Sequence, residues 1–299
     1  MNSEHSVRLR PKTLGLVYGF IGVFCFSLTL PATRAAVTDL NTTIVGLGRA
    51  LVASIFAALF LCASHQPLPT RAQFKSLIIV AAGVVVGFPL LSAWAMHRAP
   101  ATHGAIVLGL LPLGTAIAGA MRAGERPSRE FWLASVAGSS TVVLFALVTG
   151  GGKAHIADLA LLGAAIAAAL GYAEGGRLAR EIGGPQVICW ALLISAPVLI
   201  PPVALAVHRH GLAASPAAWL GFAYVSCVSM FLGFFAWYHG LALGGIARVG
   251  QLQLLQPFLT VFASAVLLGE KITAVTVGFA LAVVVCVSVG RKAPIAPHR

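Results

Sequence analysis

Two charged side chains stand alone in long uncharged surroundings. Arg49 lies in Gly48-Arg49-Ala50, inside the run from Thr42 to Ser64, and Glu174 lies in Gly171-Tyr172-Ala173-Glu174-Gly175-Gly176. A guanidinium presents a rigid fork of donors suited to a carboxylate, and a glutamate can exchange a proton. A plainer role competes in each case. Arg49 can bond loop carbonyls or stretch its stem outwards. Glu174 precedes Arg177 by three residues, so an ion pair on one helix face is available to it instead of a part in gating or coupling.

Amides and aromatics make up the second set. Gln253 and Gln256 are three residues apart and share a helix face, while Gln251 points elsewhere. Two amides on one line either join helices or line a cavity. Trp94, Trp237, Tyr238 and His239 stand near the ends of apolar runs, where rings anchor a chain at an interface or stack on a substrate, and Tyr172 adjoins Glu174. His97, His103 and His239 could titrate near neutrality, but scattered histidines are weak evidence for a proton relay. No Gly-x-Ser-x-Gly, HExxH, Walker or CxxC pattern occurs, so an enzyme, direct ATP use, a metal and a cofactor are not expected. The five cysteines are expected to be small apolar packing residues.

The elements that must position these side chains are apolar throughout. With 59% hydrophobic and 9% charged residues in 299, lipid is the expected solvent. Ten runs are long enough to span it: Leu14 to Pro31, Thr42 to Ser64, Ser76 to Met96, Gly104 to Met121, Phe131 to Val148, Ile156 to Glu174, Pro185 to Val207, Ala217 to Leu241, Val249 to Leu268 and Ile272 to Gly290. They are continuously apolar rather than alternating, which predicts an all-α membrane bundle and not a barrel. The first run reads as an uncleaved helix. The sixth is short, with fifteen uncharged residues between Asp158 and Glu174, and its glycines predict close helix approach and a local break. Prolines inside the runs permit kinks. Arg49 lies about seven residues, roughly 10 Å, into its run. That is opposite in depth to Glu174, so no direct salt bridge is expected between them.

The net charge of +12 is topological. With the N-terminus inside, fourteen Lys and Arg fall in cytoplasmic segments, against five (Arg34, Arg98, Lys153, Arg209 and Lys271) outside. This positive-inside bias predicts cytoplasmic termini and makes lipid, not nucleic acid, the partner.

A repeat divides the chain. Leu111-Pro112 is followed twelve residues later by Gly124-Glu125, and Gln256-Pro257 twelve residues later by Gly269-Glu270. Each half holds five runs, an odd number, so the second copy enters the membrane inverted. Inverted repeats are the architecture of many secondary transporters.

Helix, proline, short helix, Gly-Glu and a further helix, found twice, resemble the paired EamA domains of the drug/metabolite transporter (DMT) superfamily. The resemblance covers about Gly15 to Leu147 and Leu159 to Gly290, with repeats at 14–148 and 156–290. Arg49 matches an arginine typical of that place, whereas the family's Glu-Pro pair is here Gln256-Pro257. The resemblance implies an exporter in the bacterial inner membrane. The residues themselves suit a small neutral or zwitterionic metabolite such as an amino acid, moved by alternating access with Glu174 as the possible site of proton coupling. An intramembrane enzyme and a structural or receptor-like membrane protein are the alternatives.

Overall fold

The computed structural model describes residues 11–98, 108–150, 156–260, 262 and 273–296. Among them the chain forms helical rods: α1 Pro11–Ala36, α2 Ile44–Ala63, α3 Arg71–Arg98, α4 Leu111–Ala123, α5 Arg129–Gly150, α6 Ile156–Ile182, α7 Gly184–His210, α8 Pro216–Gly244, α9 at 246–260 and α10 Ala274–Lys292. Six of them, α1, α2, α3, α6, α7 and α8, are long and apolar enough to cross a membrane. The second Gly-Glu pair, Lys271, Lys153, His103 and the beginning of the fourth predicted run lie outside the described residues.

Local chemistry sets several boundaries. Thr70 and Gln73 form a reciprocal capping box before α3. Ser215 accepts from the Ala218 N–H ahead of α8, whose first residue is Pro216. Thr273 does the same for Thr276 at α10. Gly124, at φ 66°, closes α4 in the left-handed conformation that glycine adopts without a Cβ clash. A short antiparallel ribbon of β1 Arg126–Pro127 and β2 Ile295–Ala296 ties the α4–α5 connection to the C-terminal segment.

The packing repeats itself between the halves. α1 packs on α8 and α3 on α6, while α2 meets α7, α4 meets α9 and α5 meets α10. Exchanging the first five helices for the last five maps these pairs onto one another or onto themselves. Glycines make both of the exchanged contacts. A Cβ on Gly15 would lie 2.4 Å from the Gly244 N, and one on Gly83 would lie 2.4 Å from the Ala167 carbonyl oxygen. Any larger residue would push these backbones apart. Two π-helical segments, Ala81–Gly87 in α3 and Tyr224–Leu232 in α8, begin 143 residues apart, at matching places in the halves. A third, Ile44–Gly48, opens α2.

One expectation needs correction. The α6 helix is not broken at its glycines but runs unbroken for 27 residues, past Glu174 to Ile182. Gly171 and Gly175 serve close approach instead, because their missing side chains leave room for Val84 and Tyr238. Pro197, Pro201 and Pro202 lie inside α7, a single 27-residue helix. Large apolar side chains such as Leu59, Val198, Leu220 and Leu281 face outwards, an arrangement suited to lipid.

Candidate functional site

At the centre, α1, α2, α3, α4, α6, α8 and α9 surround a narrow cavity of about 20 Å³, room for little more than one water, lined among others by Phe26, Thr29, Arg49, Phe88, Tyr172, Ser229, Phe234 and Gln256. It adjoins a second space of about 30 Å³ that shares Leu30, Leu108, Leu111 and Gln256 and reaches Gln253, Pro257 and Thr260. Every π-helical segment borders this region. Arg49 follows the one in α2, Val84 sits in that of α3, and Ser229 and Met230 sit in that of α8. An extra residue in a helical turn re-aims side chains and breaks regular hydrogen bonding, and such segments frequently mark functional sites.

Arg49 is 1% exposed. Its Nε, Nη1 and Nη2 have no hydrogen-bond partner among the described residues. Among the described residues it therefore bonds no loop carbonyl, and its burial shows that it does not reach outwards. A buried cation without a partner is costly, and an anion placed in the cavity would satisfy its fork of donors.

The aromatic candidates divide. Tyr172 lines the cavity and lies parallel to Phe26, with 6.4 Å between ring centroids. Trp237 meets Tyr172 edge-on at 5.3 Å, fully buried, with its Nε1 unpaired among the described residues. Tyr238, also buried, donates to the Gly171 carbonyl at 3.2 Å and so joins α8 to α6. The reading of Trp237 and Tyr238 as interface anchors is thus corrected: both rings turn inwards, where Gly171 and Gly175 leave space between α6 and α8. His239 packs edge-on against Tyr18, and Trp94 lies beneath the Arg98 guanidinium at 3.9 Å. Neither lines the cavity.

Among the amides, Gln256 donates to the Phe26 carbonyl at 3.3 Å, and Gln253 accepts from Thr115 at 3.2 Å while its own NH₂ has no partner among the described residues. Both border the second space. Gln251 points away, donating to Ser135 at 2.8 Å. Across the cavity wall, Thr29 and Ser229 share a hydrogen bond of 2.8 Å.

Glu174 has the opposite environment to Arg49. Its Oε2 pairs with Arg122 Nη2 at 2.8 Å, and its Oε1 with Arg177 Nη2 at 2.8 Å. Arg177 also donates to Ser76 and Glu181, each at 2.8 Å. The i,i+3 ion pair is present, and Arg122 on α4 joins it.

Sequence reasoning missed Glu125. Its carboxylate accepts from the Ile246 and Ala247 N–H groups, each at 2.8 Å, and from Arg180 at 3.0 Å. It caps the first turn of α9, a helix of the other half. The Gly-Glu pair therefore has a physical meaning: Gly124 turns the chain so that Glu125 meets the exposed amides of α9. The repeated pair was the available signal, but its target lies 121 residues away.

The sequence signature of the EamA-like transporter family matches twice, over residues 13–147 and 155–289. The chain belongs to this family. An uncharacterized transporter of Bacillus subtilis (strain 168), YdeK, is 45% identical over 284 residues, which cover 95% of this chain and 99% of that protein. A probable terminal-alkyne amino-acid exporter of Streptantibioticus cattleyicolor is 24% identical over 253 residues, covering 83% of each chain. A solved crystal structure aligns with a TM-score of 0.75 at 17% identity, over 92% of this chain and 97% of its own, and so shares the fold. The EamA-like chain is thus a multi-pass integral membrane transporter of the drug/metabolite transporter superfamily. In this EamA-like transporter, the unpaired Arg49 and the aromatic cavity around it form the strongest candidate site.

Proposed function

We propose that this transporter exports a small carboxylate-bearing metabolite, an amino acid or a similar compound, by alternating access through the central cavity. The observation that carries this reading is Arg49, buried in the cavity wall with all three guanidinium nitrogens unpartnered among the described residues. The distant relative named as a probable amino-acid exporter supports the same class. Tyr172 supplies an aromatic wall with Trp237 packed behind it, while Gln253 and Gln256 supply neutral polar contacts. The protein is not an enzyme in this reading and needs no cofactor.

The remaining elements of the proposal are ten spans in two inverted repeats, 14–148 and 156–290, in the inner membrane of a bacterium with both termini cytoplasmic. The exchange symmetry of the helix contacts supports the repeats. The Glu174 and Glu125 ion pairs then lie at the cytoplasmic end and hold α4, α6 and α9 together there. Opening towards the cytoplasm requires these pairs to part. Proton coupling, on this view, passes through Glu174.

Counterflow of labelled amino acids and of their N-acyl derivatives in proteoliposomes tests the activity, and uptake with and without a pH gradient tests the coupling. Topology is tested with reporters, which are expected to be periplasmic after Gly152 and Leu212 and cytoplasmic after Gly124 and Arg299. A cytoplasmic signal after Gly152 would refute the inverted arrangement.

A further inference from the structure

The charges around the cavity do not match those of a zwitterion. Arg49 contributes one buried positive charge, and no carboxylate lines the cavity among the described residues. The chain has eight acidic residues, of which Glu4 and Glu270 lie outside the described residues. The other six are accounted for elsewhere. Asp39 accepts from the Ser215 N–H, Glu125 caps α9, and Glu174 is paired with Arg122 and Arg177. Glu181 pairs with Arg177, Asp158 lies in the first turn of α6, and Glu130 is exposed at the start of α5.

The acceptors at the cavity are neutral, the hydroxyls of Thr29, Ser229 and Tyr172 and the Gln256 amide oxygen, with those of Ser27 and Thr260 in the adjoining space. The Thr29 and Ser229 hydroxyls bond each other. Gln256 donates its NH₂ to the Phe26 carbonyl, which leaves its own amide oxygen as a neutral acceptor. An ammonium brought in with a carboxylate would therefore find no counter-charge, and it would stand near a guanidinium that repels it in a medium of low dielectric.

We infer that this cavity recognises its substrate as an organic anion, a carboxylate on an apolar or aromatic frame whose nitrogen is acylated or absent. The inference rests on the proposed pairing of Arg49 with a substrate carboxylate. An anion brings the charge of the site to zero, a zwitterion leaves it at plus one, and a cation raises it to plus two. The rings of Phe26, Phe88, Tyr172 and Phe234 provide the apolar wall for the frame. The Gln256 amide oxygen suits an uncharged N–H, such as that of an N-acyl group, better than it could neutralise an ammonium.

The test uses the full-length wild-type protein in nanodiscs and three ligands with one side chain: N-acetyl-L-phenylalanine, L-phenylalanine and L-phenylalaninamide. Binding is titrated calorimetrically at about pH 6, where a free α-amino group is protonated. N-acetylphenylalanine is expected to bind about tenfold or more tightly than phenylalanine, with no saturable binding of the amide. Arg49→Met is expected to abolish binding of the anion. Arg49→Lys, which retains the charge, should keep the order of preference at lower affinity.

Phenylalanine binding as tightly as its N-acetyl derivative, with both lost in Arg49→Met, would overturn this inference while leaving the carboxylate contact standing. Undiminished binding in a monodisperse Arg49→Met protein would overturn the carboxylate contact itself. No saturable binding of any of the three ligands to the wild type would also overturn the inference.

Discussion

Arg49 and Glu174 are buried to the same degree, each 1% exposed, yet among the described residues one has no partner and the other has two. Arg49 opens onto a cavity bordered by π-helical segments, at the meeting of the two halves. Glu174 lies in a regular part of α6, held by arginines from α4 and from its own helix. Burial alone therefore does not distinguish a binding residue from a structural one. The distinction comes from whether the fold has already supplied the counter-charge, since a satisfied ion pair has little left to offer a ligand.

The largest effect that sharpens this contrast is expected from Arg49→Met. Counterflow should fall about a hundredfold or more, as befits loss of a desolvated charge-assisted contact of about 3 kcal/mol. The thermal midpoint of the ligand-free protein should stay level or rise, because a buried unpaired charge has been removed. A lower midpoint with transport retained would make Arg49 structural and erase the contrast.

Glu174→Gln should do the reverse. It removes the anion that Arg122 and Arg177 share and, among the described residues, leaves only Arg177 with an acidic partner, Glu181, at a cost of about 1–3 kcal/mol. The lower part of that range applies, since those arginine side chains are 42% and 33% exposed and water screens them. The midpoint should drop while substrate affinity changes by less than about threefold, a difference below about 1 kcal/mol. Accumulation driven by a pH gradient should decline, with exchange spared. Unchanged gradient-driven uptake would remove Glu174 from proton coupling.

A smaller change is expected from Gln256→Leu. The loss of one polar contact of about 1 kcal/mol should weaken transport roughly fivefold without affecting folding. If instead the variant disappears from the membrane, the bond from Gln256 to the Phe26 carbonyl is structural. Trp94→Phe should have the smallest effect, because its ring covers Arg98 away from the cavity and a phenyl ring still packs there. Counterflow within about twofold of wild type is expected; a larger loss would place Trp94 on the path.

Much of the scaffold was legible from composition and run length. Arg49 stood out as a lone charge in an apolar run, and the ion pair of Glu174 with Arg177 followed from helix periodicity. The inward turn of Trp237 and Tyr238 was not legible, because both stand near the end of an apolar run and their burial depends on glycines of α6, more than sixty residues earlier. Nor was the continuity of α6. Glycines weaken an isolated helix, but here the close contacts with α3 and α8 use the space they leave.

By itself, the sequence determined that this is an apolar, helical, twice-repeated chain, because run length, charge bias and motif spacing are properties of neighbouring residues and of their order. It also placed an arginine deep in a hydrophobic run. Only the tertiary structure decided that this arginine lacks a counter-charge, that Arg122 completes the pair at Glu174, and that Glu125 caps a helix of the other half. Those outcomes depend on which side chains meet across 52 to 122 residues of chain. Hydrophobic periodicity carries no information about such meetings, because lipid accepts an apolar helix in many rotations and the contacts with other helices select one.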